Sequence, residues 1–233
     1  YYSYWRLMVN LRLFLKRLVT GPFSRDRELA AYGPAVETAN SLPQINGGVC
    51  SALQINERGL VQMNNGRLDE AAASFRLATE LRHDFADAHH NLGTAYLAKG
   101  HVEDAVDCFY LATHFAPAMA MAHLNLGIAL SALGKTGEAT ASLHRVLELD
   151  PGLADAHLQL ANLLKSGGKL EQAVTYYRRA VEILPDSAEV HCNLGYALFK
   201  LDQYDDAEAH YRAALRNKKD FAEAHHNLGL LFF

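Results

Sequence analysis

The chain lacks three features that would assign it to a common class of protein. It has no basic excess, with 22 Lys and Arg against 26 Asp and Glu, so a nucleic-acid partner is not predicted. It has no run of 18 or more uncharged apolar residues, so no transmembrane helix is predicted. Its cysteines number 3, an odd count without a CxxC pair. We therefore predict no disulfide framework and a reducing, cytoplasmic compartment.

The charge that is present is unevenly distributed. Residues 1–51 hold six Lys or Arg against three Asp or Glu, whereas the rest of the chain is acidic. Residues 1–20 read as an amphipathic helix. Its apolar face is Leu7, Leu11, Phe14, Leu15 and Leu18, and its basic face includes Arg6, Arg12, Lys16 and Arg17. Three interpretations stay open. The helix could pack on the first repeat or on a partner subunit, it could lie on an anionic membrane surface, or it could be a displaced piece of a missing domain.

Gly21-Pro22 ends this helix, and residues 21–51 are predicted to be a degenerate leading element. They contain a second helical pattern that Gly33-Pro34 breaks, and a turn signal at residues 46–48. Such a segment would cover the apolar end of a repeat array, because terminal repeats are commonly atypical. The chain starts at Tyr1 and ends at Phe233 within a predicted helix, so we expect a fragment at both ends.

From Ala52 onward, the sequence repeats with a period of 34 residues. A small residue, an alanine, a large apolar or aromatic residue and a proline each recur on this register. The small-residue column is Gly59, Gly93, Gly127, Ala161, Gly195 and Gly229, and the alanine column is Ala71, Ala105, Ala139, Ala173 and Ala207. The large-residue column is Phe75, Phe109, Leu143, Tyr177 and Tyr211, and the prolines are Pro117, Pro151 and Pro185.

This pattern resembles the tetratricopeptide repeat (TPR) family. The resemblance implies an all-α, right-handed solenoid of helix-turn-helix units, preceded by the N-terminal amphipathic helix. Residues 1–51 would form the leading segment and residues 52–233 the array. The repeats are predicted at 52–85, 86–119, 120–153, 154–187 and 188–221, with a partial sixth at 222–233. Small residues at Gly93 and Ala105 would let the two helices of a repeat, A and B, cross closely, and the aromatic column would fill the space between repeats.

Two motifs that suggest other chemistry are explained by this register. Gly134-Lys135-Thr136 looks like the end of a phosphate-binding loop, but Ala129 stands where the loop needs glycine. We therefore interpret it as the turn between two helices, and no cofactor is predicted. Histidine recurs at the fourth position of successive repeats, on the order of 10 Å apart, too far for one zinc ion. We expect packing and hydrogen bonding instead of a metal at His89, His123, His157, His191 and His225.

The sixth position of helix A carries the functional hypothesis, because in the TPR fold it faces the concave groove. Amides there offer both donors and acceptors to an extended peptide backbone. The runs ADAHHNLG at Ala86–Gly93 and AEAHHNLG at Ala222–Gly229 are similar to repeats of O-linked N-acetylglucosamine transferases. In that family an asparagine ladder holds substrate peptide, so the resemblance implies a peptide groove here. The predicted groove residues are Asn91, Asn125, Gln159, Asn193 and Asn227, with Glu57 as a departure at the N-terminal end.

The second position is acidic in four repeats. If these residues border the groove, a ligand with Lys or Arg is favoured; alternatively, they complement the dipole of helix A. The residues are Asp87, Asp155, Glu189 and Glu223. A carboxylate clamp is not predicted, because the second, fifth and sixth columns hold no Lys or Arg.

No catalytic constellation is apparent, so we predict a non-catalytic interaction scaffold that binds an extended peptide or a partner helix. One alternative is the substrate-recruiting arm of a larger glycosyltransferase. Another is a peripheral subunit of a membrane complex, docked through the basic helix. Self-association through uncapped repeat ends is a further expectation.

Overall fold

The computed structural model describes residues 51–232, and within this range the chain is built from α-helices alone, followed by one short 3₁₀ segment. The predicted basic helix, with Arg6, Arg12, Lys16 and Arg17, lies outside the described residues, as do Cys50 and the leading segment up to that residue. The helix-turn-helix architecture predicted from the period is confirmed. The division at residue 51 remains a prediction.

Each predicted repeat supplies an A helix and a B helix. Repeats 1 and 2 contain α1 (Ala52–Asn64), α2 (Leu68–Leu81), α3 (Ala86–Lys99) and α4 (Val102–Phe115). Repeat 3 contains α5 (Ala120–Ala132) and α6 (Thr136–Leu149). Repeats 4 and 5 contain α7 (Ala154–Ser166), α8 (Leu170–Ile183), α9 (Ala188–Phe199) and α10 (Tyr204–Asn217). The partial sixth repeat contains α11 (Ala222–Gly229) and the 3₁₀ segment Leu230–Phe232.

The chain divides into two compact units, Tyr1–Leu133 and Gly134–Phe233. In the described part, the first unit contains α1 to α5 and the second contains α6 to α11. Within each unit, an A helix packs mainly on the B helix of its own repeat and on the preceding B helix. This nearest-neighbour packing is the physical basis of a repeat protein.

The small-residue column permits the close A–B crossing that the sequence predicts. A Cβ atom on Gly93 would lie 2.7 Å from Cε1 of Phe109, and one on Gly195 would lie 2.8 Å from Cε1 of Tyr211. Because such distances are shorter than real Cβ contacts, a larger residue would push the helices apart. The residues of the alanine column, from Ala71 to Ala207, are fully buried in all five repeats.

The turn within each repeat uses a left-handed residue at a constant register position. Gly66, Gly100, Gly134 and Gly168 have φ between 74° and 83°. Gly134 is therefore a helix–helix turn, as predicted, and not part of a phosphate loop. In repeat 5 the same position is Asp202, with φ of 59°, and its Oδ1 accepts a hydrogen bond of 2.6 Å from the Tyr204 hydroxyl. Asp tolerates this conformation better than most residues with a side chain.

The start of the array and the ends of the B helices also follow from local sequence. Ser51 and Gln54 form a reciprocal capping box at the start of α1. The helices α4, α6 and α8 each end two residues before the proline column. Proline disfavours a helical conformation in the residue before it, which explains these boundaries.

Candidate peptide-binding faces

The sixth-position residues lie on A helices in both units, but they differ in exposure. Asn91, Gln159 and Asn193 are half-buried and partly reach solvent. Asn125 and Asn227 are nearly closed off, with exposed fractions of 1% and 7%. The column is therefore mixed, with some amides accessible to a ligand and others mainly inside the packing.

Three of these asparagines hydrogen-bond to the fifth-position residue of the preceding repeat. Within the first unit, Asn91 Nδ2 donates to Asn56 Oδ1 at 3.0 Å and Asn125 Nδ2 donates to His90 Nε2 at 2.9 Å. Within the second, Asn227 Nδ2 lies 3.7 Å from Cys192 Sγ. Each pair is separated by 35 residues, so one geometry recurs and holds the amides in register from repeat to repeat.

Asn193 departs from this pattern because the preceding fifth position is Leu158, which has no acceptor. Its Oδ1 instead accepts a hydrogen bond of 2.8 Å from Lys165 Nζ. That ammonium group also lies 5.6 Å from the ring centroid of Tyr196 and 5.8 Å from that of Tyr177. Lys165 is therefore positioned by an amide oxygen and two aromatic rings.

Lys200 lies beside the same ring, with its Nζ 5.6 Å from the Tyr196 centroid. Two cations thus share one aromatic side chain, an arrangement that cation–π attraction favours. Sequence reasoning missed both lysines, because its search for binding residues stopped at the sixth position of helix A. Lys165 and Lys200 stand at positions twelve and thirteen, and the same register would have placed them near the end of helix A.

The second-position acids stand in the first turns of their helices, where Asp87 is exposed and the other three are half-buried. This placement suits the helix dipole, as one interpretation expects. Some of them also shift the pKa of neighbouring groups. Burial raises the pKa of Tyr177, and the carboxylates of Glu189 and Glu223 raise it further. That hydroxyl donates to Asn162 Oδ1 at 2.6 Å. Burial lowers the pKa of His90, and the carboxylate of Asp87 raises it and so partly opposes this effect.

The fourth-position histidines each bind a backbone carbonyl six residues earlier, through Nε2. The distances run from 2.7 Å at His89 to 3.1 Å at His123. His157, His191 and His225 make the same contact at 2.8–2.9 Å. Each histidine thus ties helix A to the loop before it, which confirms the predicted hydrogen-bonding role. Residues 51–232 contain no group of three or more His, Cys, Asp or Glu arranged to hold a metal ion.

The cysteines that the structure describes are free thiols. Cys108 and Cys192 are both buried. Burial, with the nearby Asp107 and Asp104, raises the pKa of Cys108 to about 12. This thiol therefore stays protonated and unreactive near neutral pH.

Across the described range, each helix is too short or too polar to pass through a bilayer.

The helical pairs, their fixed register and the amide faces define a helix-turn-helix repeat protein. Family models described as TPR repeat match residues 59–100 and 161–202, and others described as tetratricopeptide repeat match residues 86–118, 120–145 and 188–221. The chain belongs to the tetratricopeptide repeat family. No curated protein sequence matches it.

Solved structures with the same fold include several TPR proteins. YrrB, described as a TPR protein with an unusual peptide-binding site, is 23% identical, with a TM-score of 0.65 over 76% of this chain and 91% of YrrB. MamA from Desulfovibrio magneticus RS-1 is 19% identical, with a TM-score of 0.67 over 73% and 97%. A thermophilic TPR protein from Thermus thermophilus is 20% identical, with a TM-score of 0.60 over 78% and 99%. The chain is thus a TPR repeat scaffold similar in fold to these proteins.

Proposed function

We propose that this scaffold binds an extended peptide or a partner helix on its amide faces. An amide face is the side of the A helices that carries the sixth-position residues. The first unit presents Asn91 and Asn125, and the second presents Gln159, Asn193 and Asn227. Each face is proposed as a binding surface in its own right.

The recurring inter-repeat hydrogen bond is the observation that supports this proposal. It uses one hydrogen of the Nδ2 group, as in the 3.0 Å bond from Asn91 to Asn56. The second hydrogen of Nδ2 and the carbonyl oxygen remain the groups through which such an amide can bind a ligand. Amides fixed in this way lose little side-chain entropy on binding. A larger part of the free energy of each new hydrogen bond therefore contributes to affinity.

The half-buried members of the column are the ones expected to touch the ligand. They are Asn91 in the first unit and Gln159 and Asn193 in the second. Asn125 and Asn227 are nearly inaccessible, so we assign them mainly to the alignment of repeats. These amides would bind the peptide backbone of the ligand, so they would accept many sequences. Charged side chains nearby would add a preference for particular sequences.

The charged side chains on the second unit are placed to supply that preference. Glu189 and Glu223 stand in the first turns of their helices, whereas Lys165 stands in the last turn of α7 and Lys200 directly follows α9. Within a repeat, the lysines stand about ten positions after the acids. At 1.5 Å per residue, this corresponds to about 15 Å along the helix axis. A peptide that crosses the helices between these groups would find acids on one side and ammonium groups on the other.

The test replaces the accessible amides and measures binding to an array of random 12-residue peptides. The variant is Asn91→Ala/Gln159→Ala/Asn193→Ala. A peptide on the second unit loses two hydrogen bonds of about 0.5–1.5 kcal/mol each, so its affinity should fall by roughly fivefold or more. A peptide on the first unit loses one such bond, so its affinity should fall by roughly two- to tenfold. Far-UV circular dichroism should show an unchanged helical content.

A matched control changes amides that stand on the B helices instead. Gln172 and Asn217 are exposed on α8 and α10, so Gln172→Ala/Asn217→Ala should retain full binding. Equal binding by the wild type and by the triple variant would refute the proposed amide faces. So would an equal loss in the control.

We further propose that the scaffold is non-catalytic and acts in a reducing compartment such as the cytoplasm. The odd number of cysteines without a CxxC pair supports the reducing environment. No observation on residues 51–232 favours the glycosyltransferase-arm alternative. Attachment to a membrane or complex through Arg6, Arg12, Lys16 and Arg17, and self-association, remain predictions from the sequence.

A further inference from the structure

Three leucines of the first unit are exposed on its B helices. Leu77 and Leu81 lie one turn apart on α2, with exposed fractions of 45% and 50%. Leu111 on α4 is 43% exposed and stands 34 residues after Leu77, at the same register position. We call these three residues the leucine patch. Exposed leucines that recur on one register, as Leu77 and Leu111 do, are a candidate interaction surface, unlike single scattered ones.

The same register position is arginine in repeats 3 and 4. Leu77 and Leu111 correspond to Arg145 on α6 and Arg179 on α8. Arg145 pairs with Glu148 at 2.8 Å, and Arg179 pairs with Glu182 at 2.6 Å. Solvated ion pairs of this kind suit a free surface. The fold therefore does not require leucine here, and the first two repeats differ for another reason.

Acidic side chains accompany the leucine patch. Glu80 stands beside Leu81 on α2, and Asp107 stands one turn before Leu111 on α4. Asp107 and Glu80 are both exposed. A surface that combines leucines with carboxylates complements an amphipathic helix with an apolar face and a basic polar face.

We propose that the leucine patch docks residues 7–18 of this same chain. The sequence pattern gives that segment an apolar face of Leu7, Leu11, Phe14, Leu15 and Leu18, and a basic polar face. Residues 1–20 contain Arg and Lys but no Asp or Glu, which matches Glu80 and Asp107. The chain between Leu18 and Ser51 could extend for about 100 Å, so its length permits contact with either helix.

The full chain carries its own probe for this contact. Trp5 is the single tryptophan of the chain and closely precedes the segment. Its emission should be blue-shifted in the wild type relative to a tryptophan in water. Leu77→Gln/Leu111→Gln should move the emission to longer wavelength, because the docking surface becomes polar. Neutral glutamine is used so that no new charge attracts the basic face.

Two further variants separate docking from damage to the repeats. Leu11→Gln/Leu15→Gln changes the segment and leaves the repeats intact, and it should produce the same shift. Ile183→Gln/Leu184→Gln changes two exposed apolar residues of the second unit, 38% and 39% exposed, and should leave Trp5 emission as in the wild type. Circular dichroism should report equal helical content in the repeat variants.

Four outcomes would overturn the proposal. The first is a wild-type Trp5 emission that matches tryptophan in water. The second is an equal shift in the control and in the leucine-patch variant. The third is a blue shift that disappears on dilution, since the segment would then bind a second copy. The fourth is an emission that shifts only when vesicles of phosphatidylserine and phosphatidylcholine are added, which would assign the segment to an anionic membrane surface.

Discussion

Asn91 donates a hydrogen bond of 3.0 Å to Asn56, which lies 35 residues earlier on the preceding A helix. The acceptor residue is 5% exposed, whereas the donor is half-buried. One amide thus serves the packing of two repeats while its remaining polar atoms can face a ligand. Stability and binding are therefore coupled at this position.

That coupling predicts unequal costs for two similar substitutions. Asn91→Ala should destabilise the first unit by about 1–3 kcal/mol, because the buried Asn56 oxygen loses its partner. Asn193→Ala should cost less, since Lys165 is then able to hydrate its ammonium group. Urea unfolding of both variants, monitored by circular dichroism, checks the order. A larger cost for Asn193→Ala would contradict this interpretation of the amide column.

The glycine column predicts a steric limit at the helix crossing. Gly93→Val should destabilise the chain by about 1–3 kcal/mol, because its Cβ would press on the buried ring of Phe109. The matched control is Gly137→Ala in the first turn of α6, where no atom lies within 4 Å of the added Cβ. That change should stabilise by about 0.5–1 kcal/mol, since alanine is the better helix former. Thermal unfolding of the two variants should therefore shift in opposite directions.

Much of the fold could be predicted because its determinants recur with the period. Gly93, Ala105 and Pro117 each have one task that the residue type reveals: close approach, packing or termination. The sixth-position amides were also found from the register. Their partners could not be predicted, because the contact from Asn125 to His90 depends on how consecutive A helices are offset in space.

The lysines show a second limit of what the sequence can predict. Lys165 and Lys200 stand at neighbouring positions of their repeats, and as residue types they look like ordinary solvated ends of helices. Their importance depends on the rotamers that bring both ammonium groups to Tyr196. Asp202 is a similar case, because the register places it at the turn-glycine position but only the structure shows that it adopts the same positive φ.

Two histidines predict a pH dependence of stability. Burial lowers the pKa of His90 and of His210, and His191 adds to the effect at His210. The unfolded chain, with a histidine pKa of about 6.5, then binds more protons than the folded chain just below that pH. Stability should therefore be complete above about pH 6.5 and should fall as the pH decreases below it.

Protonation also removes a specific contact at His90. Its Nε2 accepts from Asn125 Nδ2 at 2.9 Å, and a protonated nitrogen cannot accept. The urea midpoint of the wild type should decrease between about pH 7 and pH 5.5. His90→Gln/His210→Gln should reduce that decrease, because neither replacement titrates. An equally steep pH dependence in the double variant would assign the effect to other groups.

The lysine pair predicts a charge preference in the second unit. Lys165→Met/Lys200→Met should lower the affinity for peptides that carry Glu or Asp, while neutral peptides from the same array keep theirs. Each partly solvated charge contact is worth about 0.2–1 kcal/mol, so a loss of roughly two- to tenfold is expected at low salt. Added salt should reduce the difference, because the contacts are screened.

The control for this charge preference is Lys169→Met. Lys169 is exposed just before α8, whereas the ammonium groups beside the Tyr196 ring are those of Lys165 and Lys200. This variant removes one positive charge from the second unit without changing the pair, so its affinity for acidic peptides should stay close to that of the wild type. A preference for acidic peptides that survives the loss of both Lys165 and Lys200 would show that Tyr196 and its two cations do not select the ligand.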